Sequence, residues 1–177
     1  WKRAWYYPKN NETIYEAVQR ESKAARDSAG ILDASTLGKI DIQGTDASEF
    51  LNRVYTNAWS KLAIGKCRYG LMLNEDGMVY DDGVTTRLDE NHYIMTTTTG
   101  GAANVLGKLE DYLQTEWPEL DVYLSSVTDH YATASVCGPN SKKILNKLVP
   151  DLDLSDESFP HMSFKNAKIG NIQCRIM

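Results

Sequence analysis

The segment Gly77-Met78-Val79-Tyr80-Asp81-Asp82-Gly83 carries the strongest chemical feature of the sequence, two adjacent carboxylates inside an apolar, aromatic run. Aspartate is disfavoured in strands, so a pair of them suggests that one is held for a purpose. Strand alternation would put Val79 and Asp81 on one face and Tyr80 and Asp82 on the other. A carboxylate beside aromatic rings can accept hydrogen bonds from a ligand's amines or take up a proton. The competing reading is a solvated strand end before Gly83. Thr96-Thr97-Thr98-Thr99-Gly100-Gly101 leads into a helix start, where hydroxyls and free N–H groups can hold an anion; an ordinary strand followed by a glycine turn is the default reading. Tyr55, Trp59, Tyr69 and Tyr80 suit the walls of a site for a flat ring, or simply pack a core. These residues define a candidate pocket, not a reaction.

Other chemistry is thinly represented. No glycine-rich dinucleotide or phosphate loop, HExxH, GxSxG or CxxC pattern occurs. His92, His130 and His161 are scattered, with no local spacing that makes them metal ligands, so no metal site is expected. A net charge of −5 argues against a nucleic-acid surface. No apolar run reaches the ~20 residues of a membrane span, and no secretory leader is visible. Cys67, Cys137 and Cys174 are odd in number and far apart, which fits a reduced, cytoplasmic protein better than a disulfide scaffold. The chain opens on Trp1 rather than Met, as a piece of a longer protein would.

The elements that must position these residues follow from periodicity and turn signals. Residues 11–29 read as a helix stopped by Gly30, followed by short strands at 31–34 and 39–42. Asp46 and Glu49 have capping-box spacing before Phe50, Leu51 and Val54. Residues 67–73 and 78–88 form a hairpin about Asn74-Glu75-Asp76-Gly77, and 92–99 a third strand. A helix over 102–115, strands at 122–127 and 131–137, a helix with Pro139 in its first turn, and two strands around Gly170-Asn171 complete the chain. Hairpins alternating with single helices predict an α+β fold with a largely antiparallel sheet, in one unit.

Three stretches occur in order: Asp33-Ala34-Ser35-Thr36-Leu37-Gly38-Lys39, Gly65-Lys66-Cys67-Arg68-Tyr69, and Asn74 to Gly77 to Asp81-Asp82. They match the D-x-S, G-K-x-x-Y and N-x-x-G-x-x-x-D-D pattern of the aminomethyltransferase family, whose type member is the glycine-cleavage T-protein, and Gly138-Pro139 matches the family's G-P before a helix. The chain resembles this family over essentially all 177 residues. Trp5-Tyr6-Tyr7-Pro8 and the stretches 33–44 and 50–88 resemble one branch, the C-terminal region of the α subunits of heterotetrameric sarcosine oxidases. The chain ends at Met177, before the R-x-x-[YF]-[ST]-G-E segment of related chains, so residues 1–177 are expected to be the N-terminal part of a folate-binding domain.

The resemblance implies that Asp82 is the acidic residue facing the folate amines. It further implies that Tyr69 lines the pterin pocket, that Leu37 and Val84 are apolar lining positions, and that Thr98 is a polar contact where T-proteins carry Asn. It implies tetrahydrofolate as the group bound here, with flavin (FAD/FMN) and NAD held elsewhere in a complex with the other sarcosine oxidase subunits. The reaction it implies is oxidation of sarcosine to an imine, whose one-carbon unit is captured as 5,10-methylenetetrahydrofolate with release of glycine. The alternatives are transfer of a lipoyl-carried aminomethyl group in glycine cleavage, and a subunit-docking module in which Trp1, Trp5, Tyr6 and Tyr7 form the interface.

Overall fold

The computed structural model describes residues 4–177, so Trp1 of the expected aromatic interface lies outside the described residues. Helix α1 (Ile14–Asp27) begins where a capping box forces it to, the Glu16 N–H donating to Thr13 Oγ1 and the Thr13 N–H to Glu16. The helix therefore starts three residues later than periodicity suggested. Arg20 on its flank binds Glu12 and the Tyr7 carbonyl, laying residues 4–12 back along the helix.

The chain then forms β1 (Gly30–Asp33), β2 (Gly38–Gln43) and α2 (Ala47–Val54). Asp46 precedes α2, but its side chain makes no capping bond. Its carboxylate instead accepts the Asp121 N–H at 2.9 Å, tying the start of α2 to a segment 75 residues away. A hairpin of β3 (Cys67–Leu73) and β4 (Val79–Asp89) follows, then β5 (His92–Thr97) and α3 (Ala102–Asp111). Beyond Asp111 the expected helix widens into a π-helical turn, Tyr112–Glu116, that brings Trp117 against Tyr112 and Phe50. Strands β6 (Tyr123–Ser126) and β7 (Ala134–Cys137) are shorter than the expected 122–127 and 131–137, and a 3₁₀ turn, Thr128–His130, lies between them. Helix α4 (Ser141–Leu148) starts after Asn140, so Pro139 lies in the preceding turn and not in the helix. The hairpin β8 (Lys165–Ile169) and β9 (Ile172–Ile176) ends the chain.

All strand pairings among the described residues are antiparallel, where the sequence predicts a largely antiparallel sheet. They form a five-stranded sheet of order β3-β4-β5-β2-β6, a two-stranded β1-β7 sheet and the β8-β9 hairpin. On the inner face of the large sheet, Ile40, Ile42, Met72, Tyr93 and Met95 meet Phe50, Leu51 and Val54 of α2 and Val105 and Leu109 of α3 in one core. The opposite, outer face carries Lys39, Asp41, Tyr69, Leu71, Asp82, Val84 and Thr96, which alternate with those core residues. No helix among the described residues is long and apolar enough to cross a membrane.

Candidate functional site

The two aspartates separate as alternation requires, and they do different things. Asp81 is buried on the inner face, 4% exposed. Its carboxylate accepts the Tyr55 hydroxyl at 3.3 Å and the Thr98 N–H at 3.1 Å, so it holds the loop after β5 against the sheet. The proximity of Asp81, together with burial, pushes the Tyr55 phenol far above its ordinary range, burial being the larger cause. Asp82 sits half-buried on the outer face, where Tyr69 donates its hydroxyl to Asp82 Oδ2 at 2.6 Å. That bond raises the Tyr69 pKa, because a phenolate there would face a carboxylate. Tyr69 therefore stays a donor at neutral pH, fixing the rotamer of Asp82. Among the described residues, the other Asp82 oxygen carries no hydrogen bond and is left to the open side.

The walls of the site come from the neighbouring strands. Val84 stands directly opposite Tyr69, and Leu71 opposite Asp82. Thr96 Oγ1 accepts the Val84 N–H at 2.9 Å and donates to the Val84 carbonyl at 3.1 Å. A side-chain hydroxyl thus replaces the ladder at this point, and only glycine allows it. A Cβ on Gly83 would lie 1.9 Å from the Thr96 carbonyl oxygen. Leu37 and Thr98 flank the Gly38–Thr97 pair at the end of the β2–β5 ladder, and the Thr36 and Thr99 hydroxyls meet at 3.3 Å. Tyr69, Asp82, Val84, Thr98 and Leu37 thus lie in one band across β3, β4, β5 and β2.

Several readings from sequence change at this point. Tyr55 and Trp59 pack edge to face at 6.4 Å in the core, 3% and 0% exposed, and cannot reach a ligand. Tyr80 does not share Asp82's surroundings. The β3–β4 register slips between Met72 and Leu73, making Tyr80 an extra residue in the strand. Its ring lies 4.6 Å from the Lys108 ammonium on α3. In the Thr98–Gly101 turn the Thr98 N–H is already bonded to the Asp81 carboxylate and the Gly101 N–H to the Thr98 carbonyl, so neither is free for an anion. His92 bonds Asp41 at 2.6 Å, and no cluster of three or more metal-ligating side chains occurs among the described residues.

Sequence reasoning missed Leu71, the Thr96 bridge to Val84 and Asp81's brace on Thr98. Leu71 was within reach of hairpin counting, had the extra residue in β4 been visible. The Thr96 and Asp81 contacts join segments separated by 12 and 17 residues and leave no local mark. The donor set fits a pterin-like ring in kind. An ionised carboxylate with one uncommitted oxygen can accept from ring amines, and Tyr69, Leu71 and Val84 supply apolar walls.

Comparisons with known proteins identify the family. The chain is 56% identical to sarcosine oxidase subunit alpha of Corynebacterium sp. (strain U-96) over 99% of its length, but spans only 18% of that protein. It is 51% identical to the Rhizobium meliloti subunit alpha, covering 96% of this chain and 17% of that protein. An aminomethyltransferase of Staphylococcus epidermidis is 32% identical over 80% of this chain and 38% of its own. Among solved structures, glycine cleavage system aminomethyltransferase T from Bartonella henselae superposes with a TM-score of 0.69 at 26% identity, covering 75% of this chain and 35% of that one. A chain of the heterotetrameric sarcosine oxidase from Corynebacterium sp. U-96 superposes at 0.58 and 14% identity, covering 90% of this chain and 77% of that one, a likeness of fold. The family described as GCVT N-terminal domain matches residues 1–177, and the chain belongs to that family.

Proposed function

We propose that these residues form part of a tetrahydrofolate site in the α subunit of a sarcosine oxidase, and that Asp82 is its catalytic carboxylate. The observation that carries the reading is the Tyr69–Asp82 bond at 2.6 Å on the open face of the sheet, beside Val84 and Leu71. Identity of 56% to sarcosine oxidase subunit alpha, against 32% to an aminomethyltransferase, favours the sarcosine oxidase branch over lipoyl-linked aminomethyl transfer. Bound there, tetrahydrofolate supplies the nucleophilic nitrogens that take up the one-carbon unit of oxidised sarcosine as 5,10-methylenetetrahydrofolate.

The chain's own part is binding, orientation and a proton. Tyr69 occupies Asp82 Oδ2, which leaves Oδ1 to accept from a ring amine. A carboxylate held in this way can take the proton that an attacking amine must lose, or offset the positive charge on that nitrogen. Tyr69, Val84, Leu71 and Leu37 exclude water from one side of the ring, which strengthens the charge interaction at Asp82. Thr98, exposed at the end of the band, offers a hydroxyl to a polar edge of the ligand. Nothing in this band suits a flavin or nicotinamide, so the oxidation belongs elsewhere in the whole protein.

The experiment is tetrahydrofolate binding and methylenetetrahydrofolate formation by the full-length protein, with Asp82→Asn and Tyr69→Phe beside the wild type. Asp82→Asn should lower one-carbon capture by about two orders of magnitude, the scale of a lost general base, and leave sarcosine oxidation intact. Unchanged capture in Asp82→Asn would remove that residue from the mechanism. A second reading, a subunit-docking module, draws on Trp5 and Tyr7, which are 92% and 60% exposed at the rim of a 980 Å³ groove between α1 and the β1-β7 sheet. It takes the lead if Asp82→Asn is silent while Trp5→Ala prevents assembly with other subunits.

A further inference from the structure

The segment Asp33–Lys39 has a definite internal construction that neither its periodicity nor the proposed chemistry explains. Asp33 Oδ1 accepts the Ser35 N–H at 2.9 Å, closing a tight turn. Ser35 Oγ accepts the Thr133 N–H at 2.9 Å, and the Ala34 N–H donates to the Thr133 carbonyl at 2.8 Å, so the turn is stitched to the segment before β7. The Leu37 N–H donates to the Ala34 carbonyl at 3.2 Å, folding the chain back on itself. Gly38 then passes so close to β5 and α3 that a Cβ would lie 2.0 Å from Thr97 Oγ1 and 2.4 Å from Ala102 Cβ.

This path turns the carbonyls of Ser35 and Leu37 inward, where they require donors. Lys39 supplies them. It is 4% exposed, and its ammonium donates to the Ser35 carbonyl at 3.0 Å and the Leu37 carbonyl at 2.9 Å. Its own backbone is fixed from both sides, the N–H by Thr128 Oγ1 at 3.1 Å and the carbonyl by the Val127 N–H at 2.9 Å. Burial works against the charge and lowers the Lys39 pKa, while the nearby carboxylates of Asp129 and Asp33 act in its favour. An aliphatic side chain could fill this space without the desolvation cost of an ammonium, but it would leave a buried carbonyl at Ser35 and a part-buried one at Leu37 without donors.

We propose that Lys39 is a positioning residue: its ammonium clamps the 35–37 turn and so sets where Leu37 stands as a wall of the candidate site. The clamp reaches the site by two routes. Leu37 carries one of the bonded carbonyls, and Thr36 beside it meets the Thr99 hydroxyl on the loop that carries Thr98. The link to ligand binding rests on the tetrahydrofolate reading above; the clamp itself does not.

The test compares Lys39→Met, Lys39→Arg, Leu37→Ala and the Lys39→Met/Leu37→Ala pair in the full-length protein. Amide hydrogen exchange over residues 34–38 and tetrahydrofolate affinity by calorimetry are both measured. Lys39→Met should speed exchange in that segment and weaken tetrahydrofolate binding about tenfold, the scale of a displaced apolar wall, with Lys39→Arg restoring most of both. Added to Leu37→Ala, it should weaken binding by much less than tenfold, since the wall it positions is already gone. If Lys39→Met does not fold, Lys39→Gln replaces it, keeping a polar end of shorter reach. Unchanged exchange, unchanged affinity, or full additivity with Leu37→Ala overturns the proposal. A wild-type protein that binds no tetrahydrofolate overturns the site reading itself and the positioning role with it, a result distinct from wild-type binding that Lys39→Met leaves untouched.

Discussion

Helices α2 and α4 are each eight residues long, and both repeat apolar side chains at helical spacing. Yet α2 buries Ala47, Phe50, Leu51 and Val54, while α4 buries nothing. The contrast extends to their surroundings. The five-stranded sheet closes on α2 and α3 with Phe50, Trp59, Tyr93 and Met95 fully covered. Around α1, α4 and the β1-β7 sheet, Ile14, Val18, Ile31, Leu32, Ile144 and Leu148 remain between 40% and 74% exposed. Amphipathic pattern states which side of an element is apolar, but burial needs an opposing surface. The candidate site is built on the closed region, where strand register holds side chains to fractions of an ångström, with only Leu37 and Thr98 on connecting loops.

Substitutions should separate the two regions sharply. Phe50→Ala removes a fully buried ring that packs on Trp117 at 6.1 Å. It should cost about 3–5 kcal/mol, read as a shift of the denaturant midpoint. A loss under 1 kcal/mol would mean that the closed region is not the stability core. Gly83→Ala forces apart β4 and β5 at the Thr96 bridge and should cost roughly 1–3 kcal/mol, with Val84 amide exchange rising in step. In the open region, Thr13→Ala deletes the capping box of α1 and should cost about 1 kcal/mol, seen as fraying by circular dichroism. Ile144→Ser on α4 should change stability by less than about 0.5 kcal/mol; a larger loss would show that α4 is covered in solution.

The smallest effect is electrostatic. Arg20, with the Lys9 N–H, holds the Glu12 carboxyl down to about 2 from an ordinary value of 4.5. A group depressed in the folded state stabilises it above the unfolded value and loses that contribution as pH falls through the folded one. The clasp of residues 4–12 on α1 should therefore stay closed at pH 5 and open between about pH 4.5 and 2, followed by the Glu12 carboxyl resonance. Arg20→Gln should return that titration to the ordinary range without altering the sheet.

What was legible in the sequence follows the same division. The hairpin was readable from Asp76-Gly77 between alternating runs, and β3 falls where expected because its turn chemistry is local. The separation of Asp81 from Asp82 was readable from alternation alone. Three features were not, each for a distant cause. Asp46 leaves its helix cap for the Asp121 N–H, Asp81 finds Tyr55 and Thr98, and the Asp33–Lys39 turn is locked by Thr133. Helix α1 began late for a closer reason, since the Thr13–Glu16 pair spells a capping box that apolar periodicity overlooks.

The extra residue at Tyr80 acts as a parity switch. Strand faces repeat every second residue, so one inserted position exchanges the two faces of everything beyond it. On the turn side of the slip Leu73 pairs with Val79; beyond it Met72 pairs with Asp81, and Leu71 with Asp82. Were the ladder to run from Leu73–Val79 without interruption, Leu71 would oppose Asp81 and Tyr69 would oppose Gly83. The buried and the open carboxylate would then trade places. Which of two chemically identical neighbours faces the open side of the sheet is thus decided not at either aspartate but one residue upstream, by counting. Deleting Tyr80 accordingly changes no role: Asp81 would follow Val79 directly, keeping Met72 opposite Asp81 and Leu71 opposite Asp82, whereas pairing Tyr80 with Met72 would exchange the two carboxylates.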